Sequence, residues 1–172
     1  MNPDGRETAR DAVRDELRQL RSQVENIDGS IVASTDGLVI AHDIATSEAY
    51  GVEPEGVAAL SAVNLGLSQR VSDTANHGAL RETVIRGTFG QVVTYAAGER
   101  ALLTVIVRDL GDLAELHDGA RRSAARVADL LIEFFQPETN WLSYRESDPG
   151  PANAARPASM RATGTRNGEH DT

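Results

Sequence analysis

Apolar positions set the order of elements along this chain. Over about 4–25, Ala9, Val13, Leu17, Leu20 and Val24 recur at intervals of four, four, three and four, which is one face of a helix. The other face is charged: Glu7/Arg10, Asp11/Arg14 and Asp15/Arg18 are opposite charges three apart, within pairing reach on a helix surface. Such a charge run serves as a binding surface or, more commonly, as a solvated face. Two β-rich runs follow, 30–35 and 38–42, on either side of Asp36-Gly37. This arrangement predicts a hairpin with a type I′ turn, in which both central residues take positive φ. Neither run alternates cleanly, so both faces of the hairpin are expected to be covered.

Beyond a linker at 46–53, Pro54 suits the first turn of a helix running to about 73. No charge occurs between Gly56 and Gln69. Leu60, Val63, Leu67 and Val71 share one side, whereas Ala58, Ala62, Leu65 and Gln69 share nearly the opposite one, with Gly66 beside them. A helix that is apolar on two sides needs cover on two sides. The expectation is that one side meets the chain's own sheet and that the small side, Ala58 to Gln69, meets a second copy, because small residues allow close helix approach. On that placement, Ala62→Arg splits a dimer and leaves a folded monomer.

Three strands complete the sheet. The run 80–86 mixes charged and apolar positions and reads as an edge or interface strand, with Leu80, Glu82, Val84 and Arg86 as its contact residues. Gly87-Thr88-Phe89-Gly90 turns the chain into 91–96, and Gly98-Glu99 turns it into 101–107. The last of these runs is apolar throughout, as a central strand buried on both faces should be. Short turns make the three an antiparallel meander. A final helix over 113–135 buries Leu116, Ala120, Ala124, Val127, Leu131 and Phe134, leaves Arg121, Arg122 and Arg126 toward solvent, and stops at Pro137. From 137 the periodicity vanishes and Pro, Gly, Ala and polar residues dominate, which divides the chain into a domain at 1–136 and a disordered tail at 137–172. Within that tail Trp141-Leu142-Ser143-Tyr144 either docks on the domain or serves as a short recognition segment.

Composition narrows the chemistry. All 17 basic residues are arginine, so there is no lysine for a P-loop or a Schiff base. Cysteine is absent, which removes thiolate nucleophiles, sulfur-bound zinc and disulfides. A formal charge of −9 opposes nucleic acid and anionic lipid, and 4% aromatic residues argue against a base-stacking platform. No run of eighteen apolar residues or basic-then-apolar N-terminus occurs, so a cytoplasmic protein without direct membrane insertion is expected. His42, His77, His117 and His170 are isolated from one another, and neighbouring His42 and Asp43 point to opposite faces of a strand. No catalytic residue, metal site or cofactor site is assigned, and the expectation is a non-enzyme.

Several segments together resemble the Roadblock family: 31–41 its first hairpin, Gly56-Val57-Ala58-Ala59-Leu60 with Leu65-Gly66 its central helix, and 76–83 with 95–105 its meander. The likeness covers roughly 5–135 and is greatest to short bacterial Roadblock proteins encoded beside Ras-like GTPases and sensor histidine kinases. It implies a longin-like α/β (α+β) fold in the order α-β-β-α-β-β-β-α, with a five-stranded antiparallel sheet between helices. It also implies a homodimer in which the central helix meets its twin and the third strand pairs across the two-fold axis. The implied partners are a second copy, a Ras-like small GTPase and a sensor histidine kinase complex. The implied role is that of a non-catalytic regulator or scaffold. A GTPase-activating role, with Arg81, Arg86 or Arg100 supplying charge, and a small-molecule sensory domain are the alternatives.

Overall fold

The structure, a computed structural model, describes residues 3–44, 52–108 and 113–135. The expected linker lies mostly outside the described residues, and the tail, Trp141 and His170 lie wholly outside them. The elements run α1 (Pro3–Gln23), β1 (Ile27–Ser34), β2 (Val39–Ile44), α2 (Pro54–Thr74), β3 (Glu82–Gly87), β4 (Gly90–Ala97), β5 (Ala101–Val107) and α3 (Leu113–Leu130). This is the order and class expected.

The five strands form one antiparallel sheet in the order β2-β1-β5-β4-β3. Its larger core lies on the side of α1 and α3. There Val13, Leu17 and Leu20 of α1, with Leu116, Ala120 and Val127 of α3, pack on Val32, Val93, Tyr95, Leu103 and Val105. Apolar β5 sits in the middle of the sheet and is covered on both faces, which accounts for its unbroken hydrophobic run. The smaller core lies under α2, where Ala58 meets Ile31, Ala33 and Leu102.

Local chemistry explains the connections. The β1–β2 hairpin forms, but its turn differs from the one expected: Asp36 is not among the positive-φ residues, whereas Gly37 takes φ 82°. The Gly37 N–H donates to the Ser34 carbonyl at 2.9 Å, and the Ser34 N–H donates to the Leu38 carbonyl at 2.9 Å. The loop is therefore three residues long and ends in a left-handed glycine, with a register shift between Val32 and Ala33. A Cβ at Gly37 would stand 2.8 Å from the Ala59 Cα, so the hairpin tip also props α2. The first helix carries two of its expected pairs, Asp11–Arg14 at 2.6 Å and Asp15–Arg18 at 2.9 Å.

Two arginines of α3 expected in solvent are tied down instead. Arg126 forks onto Glu16 of α1, with its Nε donating at 2.7 Å, and Arg121 forks onto Glu82 at 2.9 and 3.0 Å. The hydrogen bond to Glu16 holds the Arg126 guanidinium above its ordinary pKa. No described helix is long and apolar enough to cross a membrane.

Candidate functional site

The two faces of α2 are assigned the opposite way from the sequence expectation. Ala58 is fully buried against the chain's own sheet, and Ala62 and Leu65 pack on the same cluster. Gln69 is occupied within the chain: its amide nitrogen donates to Asp73 at 2.7 Å and its oxygen accepts the Leu80 N–H at 2.9 Å. Of the residues expected at a dimer contact on α2, only Gly66 is exposed, and it lies beside the sheet-facing side. The surface left open is the other one, where Leu60 is 74% exposed, Val63 69%, Leu67 62% and Val71 62%.

The reason is size. Beneath α2 the sheet is already lined with large side chains, Ile31, Leu102, Val39 and Ile106, and a helix lies close on such a surface only through small residues such as Ala58, Ser61 and Ala62. The wheel separated the faces correctly, but the volume of the facing strands decided which one turned inward.

Beside α2 lies β3, an edge strand whose outer hydrogen-bonding side has no strand partner among the described residues. Val84, Ile85 and Arg86 are exposed on it. Arg86 makes no ion pair among the described residues, whereas Glu82 is half-buried under Arg121. Strand and helix are tied where the Asn64 side-chain amide donates to the Thr83 hydroxyl at 3.2 Å. At the end of the hairpin Phe89 is 88% exposed. The outer stripe of α2 and the exposed edge of β3 thus lie side by side, with Ile85 on the face of the sheet that α2 covers.

An apolar cleft of about 570 Å³ opens near the β3–β4 turn, with Ile44, Val52, Ile85, Phe89, Val92 and Ile106 on its walls. The Asp28–Arg108 ion pair, 3.1 Å long, stands at one end.

Nothing in this surface is arranged for proton transfer. His117 lies on the other side of the sheet, where its Nδ1 is 2.7 Å from the Tyr95 hydroxyl. Burial, and then the charge of Glu82, push the Tyr95 phenol far above its usual range, so it stays protonated. Asp43 is engaged by Arg21 at 2.7 Å and not by His42. Among the described residues no three His, Asp or Glu gather as metal ligands. Of the arginines considered for a GTPase-activating role, Arg100 is held by the Phe135 carbonyl at 2.6 Å, while Arg81 and Arg86 are exposed.

Comparison with known proteins agrees with this architecture. The uncharacterized protein MJ1340 of Methanocaldococcus jannaschii is 30% identical over 106 residues, which is 62% of this chain and 89% of that protein. The gliding protein MglB of Thermus thermophilus shares 19% identity at a TM-score of 0.66, over 73% of this chain and 92% of that one. A Roadblock/LC7 domain from Streptomyces avermitilis shares 18% at a TM-score of 0.57, over 70% and 95%. At these identities the two structures establish the fold. Residues 13–107, more than half of the chain, match the Roadblock/LC7 domain model, and the chain belongs to the Roadblock/LC7 domain family.

Proposed function

We propose that this protein is a non-catalytic homodimer that regulates or scaffolds a Ras-like small GTPase in a bacterial signalling complex. The observation that carries the reading is the open stripe Leu60, Val63, Leu67 and Val71, contiguous with the β3 edge. A row of large aliphatic side chains on a small domain marks an interaction site. Hiding each of them contributes on the order of 1 kcal/mol, and a two-fold pair hides both copies of the stripe together. The GTPase, and a sensor histidine kinase in the same assembly, follow from family kinship, since the chain itself carries neither a P-loop lysine nor a thiol.

Light scattering on the full chain should give the mass of a dimer. Leu67→Arg, at an exposed position, should shift that mass to the monomer while the circular dichroism spectrum stays unchanged. A wild-type monomer at all accessible concentrations would dismiss the dimer. Co-purification with a Ras-like GTPase that depends on whether GDP or a GTP analogue is bound tests the partner, and equal failure in both states counts against it. If hydrolysis by the GTPase accelerates on mixing and Arg81→Ala or Arg86→Ala removes the effect, the role is GTPase activation proper.

The apolar cleft supports a second reading, a sensory domain for a small hydrophobic molecule, because its volume is in the range of ligand sites. A specific ligand would raise Tm by mass action, and a metabolite panel that leaves Tm unchanged dismisses it.

A further inference from the structure

Resting on the homodimer reading, with β3 paired across the two-fold axis as the Roadblock resemblance implies, we infer that this pairing takes one register, centred on Val84, and that Glu82 and Arg86 select it. In an antiparallel pair about a two-fold axis, residues equidistant from the centre face each other on the same side of the sheet. The strand reads Glu82-Thr83-Val84-Ile85-Arg86, with opposite charges at equal distances from Val84. Reversed against itself on that centre, it places each Glu82 opposite the other copy's Arg86, and Thr83 opposite Ile85.

The neighbouring registers lack this match. Centred on Thr83, the strand sets Glu82 against Val84 and Arg86 against Leu80. Centred on Ile85, it sets Arg86 against Val84 and Glu82 against Thr88. Both place a guanidinium opposite an aliphatic side chain and leave the carboxylate without a cation across the seam. Opposite charges directly across a strand pair stabilise it, and like charges do the reverse.

The side chains are already placed for this. Glu82 is held in position by the forked contact from Arg121 at 2.9 and 3.0 Å, and its carboxylate has lone pairs left for a second guanidinium. Arg86 is exposed and makes no ion pair among the described residues. Asn64, which lies between Leu60 and Leu67, is bonded to Thr83 at 3.2 Å, which sets the middle of the apolar stripe beside this part of β3. The stripe thus supports the seam, and the charges choose the register within it.

The chain contains no cysteine, so a single introduced thiol can report its own distance from the axis. Full-length Thr83→Cys, Val84→Cys and Ile85→Cys proteins are oxidised mildly and separated by non-reducing electrophoresis. In the Val84 register the two Val84 Cα atoms lie about 4.5–5.5 Å apart, within disulfide reach, whereas Thr83 and Ile85, one place off centre, each stand two positions from their own copy at about 7–8 Å, beyond the ~7 Å limit. Rapid covalent dimer with Val84→Cys, and slow or none with the other two, is expected. Preferential linking of Thr83→Cys or Ile85→Cys overturns this register and leaves the dimer standing. A dimer by light scattering that none of the three links likewise overturns this register. No linking together with a wild-type monomer removes the homodimer reading itself. Arg86→Glu turns two attractive pairs into two repulsive ones and should weaken dimerisation about tenfold. Unchanged affinity would refute the role given to the charges.

Discussion

At the scale of single residues, the contact with most to lose is Arg126 on Glu16. Glu16 is only 7% exposed, and the guanidinium is its anchor between α1 and α3. Because the Arg126 side chain is 42% exposed, water replaces part of what Arg126→Ala removes, and the cost should be about 1–2 kcal/mol of stability, while Arg126→Lys recovers a part because an ammonium cannot fork. Urea unfolding of both variants, each with and without Glu16→Gln, measures this. If Arg126→Ala costs no more in the presence of Glu16 than in its absence, the pair contributes nothing. The sequence showed the charges of α3 but not their use: Glu16 and Glu82 lie far from Arg126 and Arg121 along the chain, and nothing local distinguishes a buried acid from a solvated one.

At the scale of elements, most of the fold was legible. The spacing of Val13, Leu17, Leu20 and Val24 defined the buried face of α1, and the continuous run of β5 placed it at the centre of the sheet. Asp36-Gly37 located a hairpin, but not its turn type, because Gly37 alone absorbs the left-handed conformation. Periodicity separated the two sides of α2 but not which of them faces the sheet, because it reports angles and says nothing about the room beneath. The reversal can be tested directly. Ala62→Arg forces a long charged side chain into a half-buried position packed over Ile31 and Leu102 and should lower stability by about 1–3 kcal/mol. Leu67→Arg should leave the fold intact. A well-folded Ala62→Arg protein at wild-type Tm would restore the original assignment.

At the scale of the whole molecule, the two sides of the sheet are built on different terms. Two helices and the larger core share one side, and a single helix resting on small residues covers the other. If a second copy completes that thinner side, folding and pairing are linked, and apparent Tm should rise with protein concentration. Calorimetry over a hundredfold range of concentration measures the rise. Leu67→Arg should show a concentration-independent Tm below the wild-type value, whereas a flat wild-type profile would separate stability from self-association. The −9 charge per chain acts at the same level, favouring a soluble particle and discouraging contact between surfaces that lack a specific match.

The division of labour within α2 has an evolutionary corollary. Its underside is pinned by the strands it rests on, so drift there is curtailed by loss of the fold. Its outward positions, together with Arg86 on β3, touch little of the interior and are free to diverge. If those sites pair with a second copy, sister chains that arise by gene duplication can acquire separate identities by altering them while keeping an inherited interior.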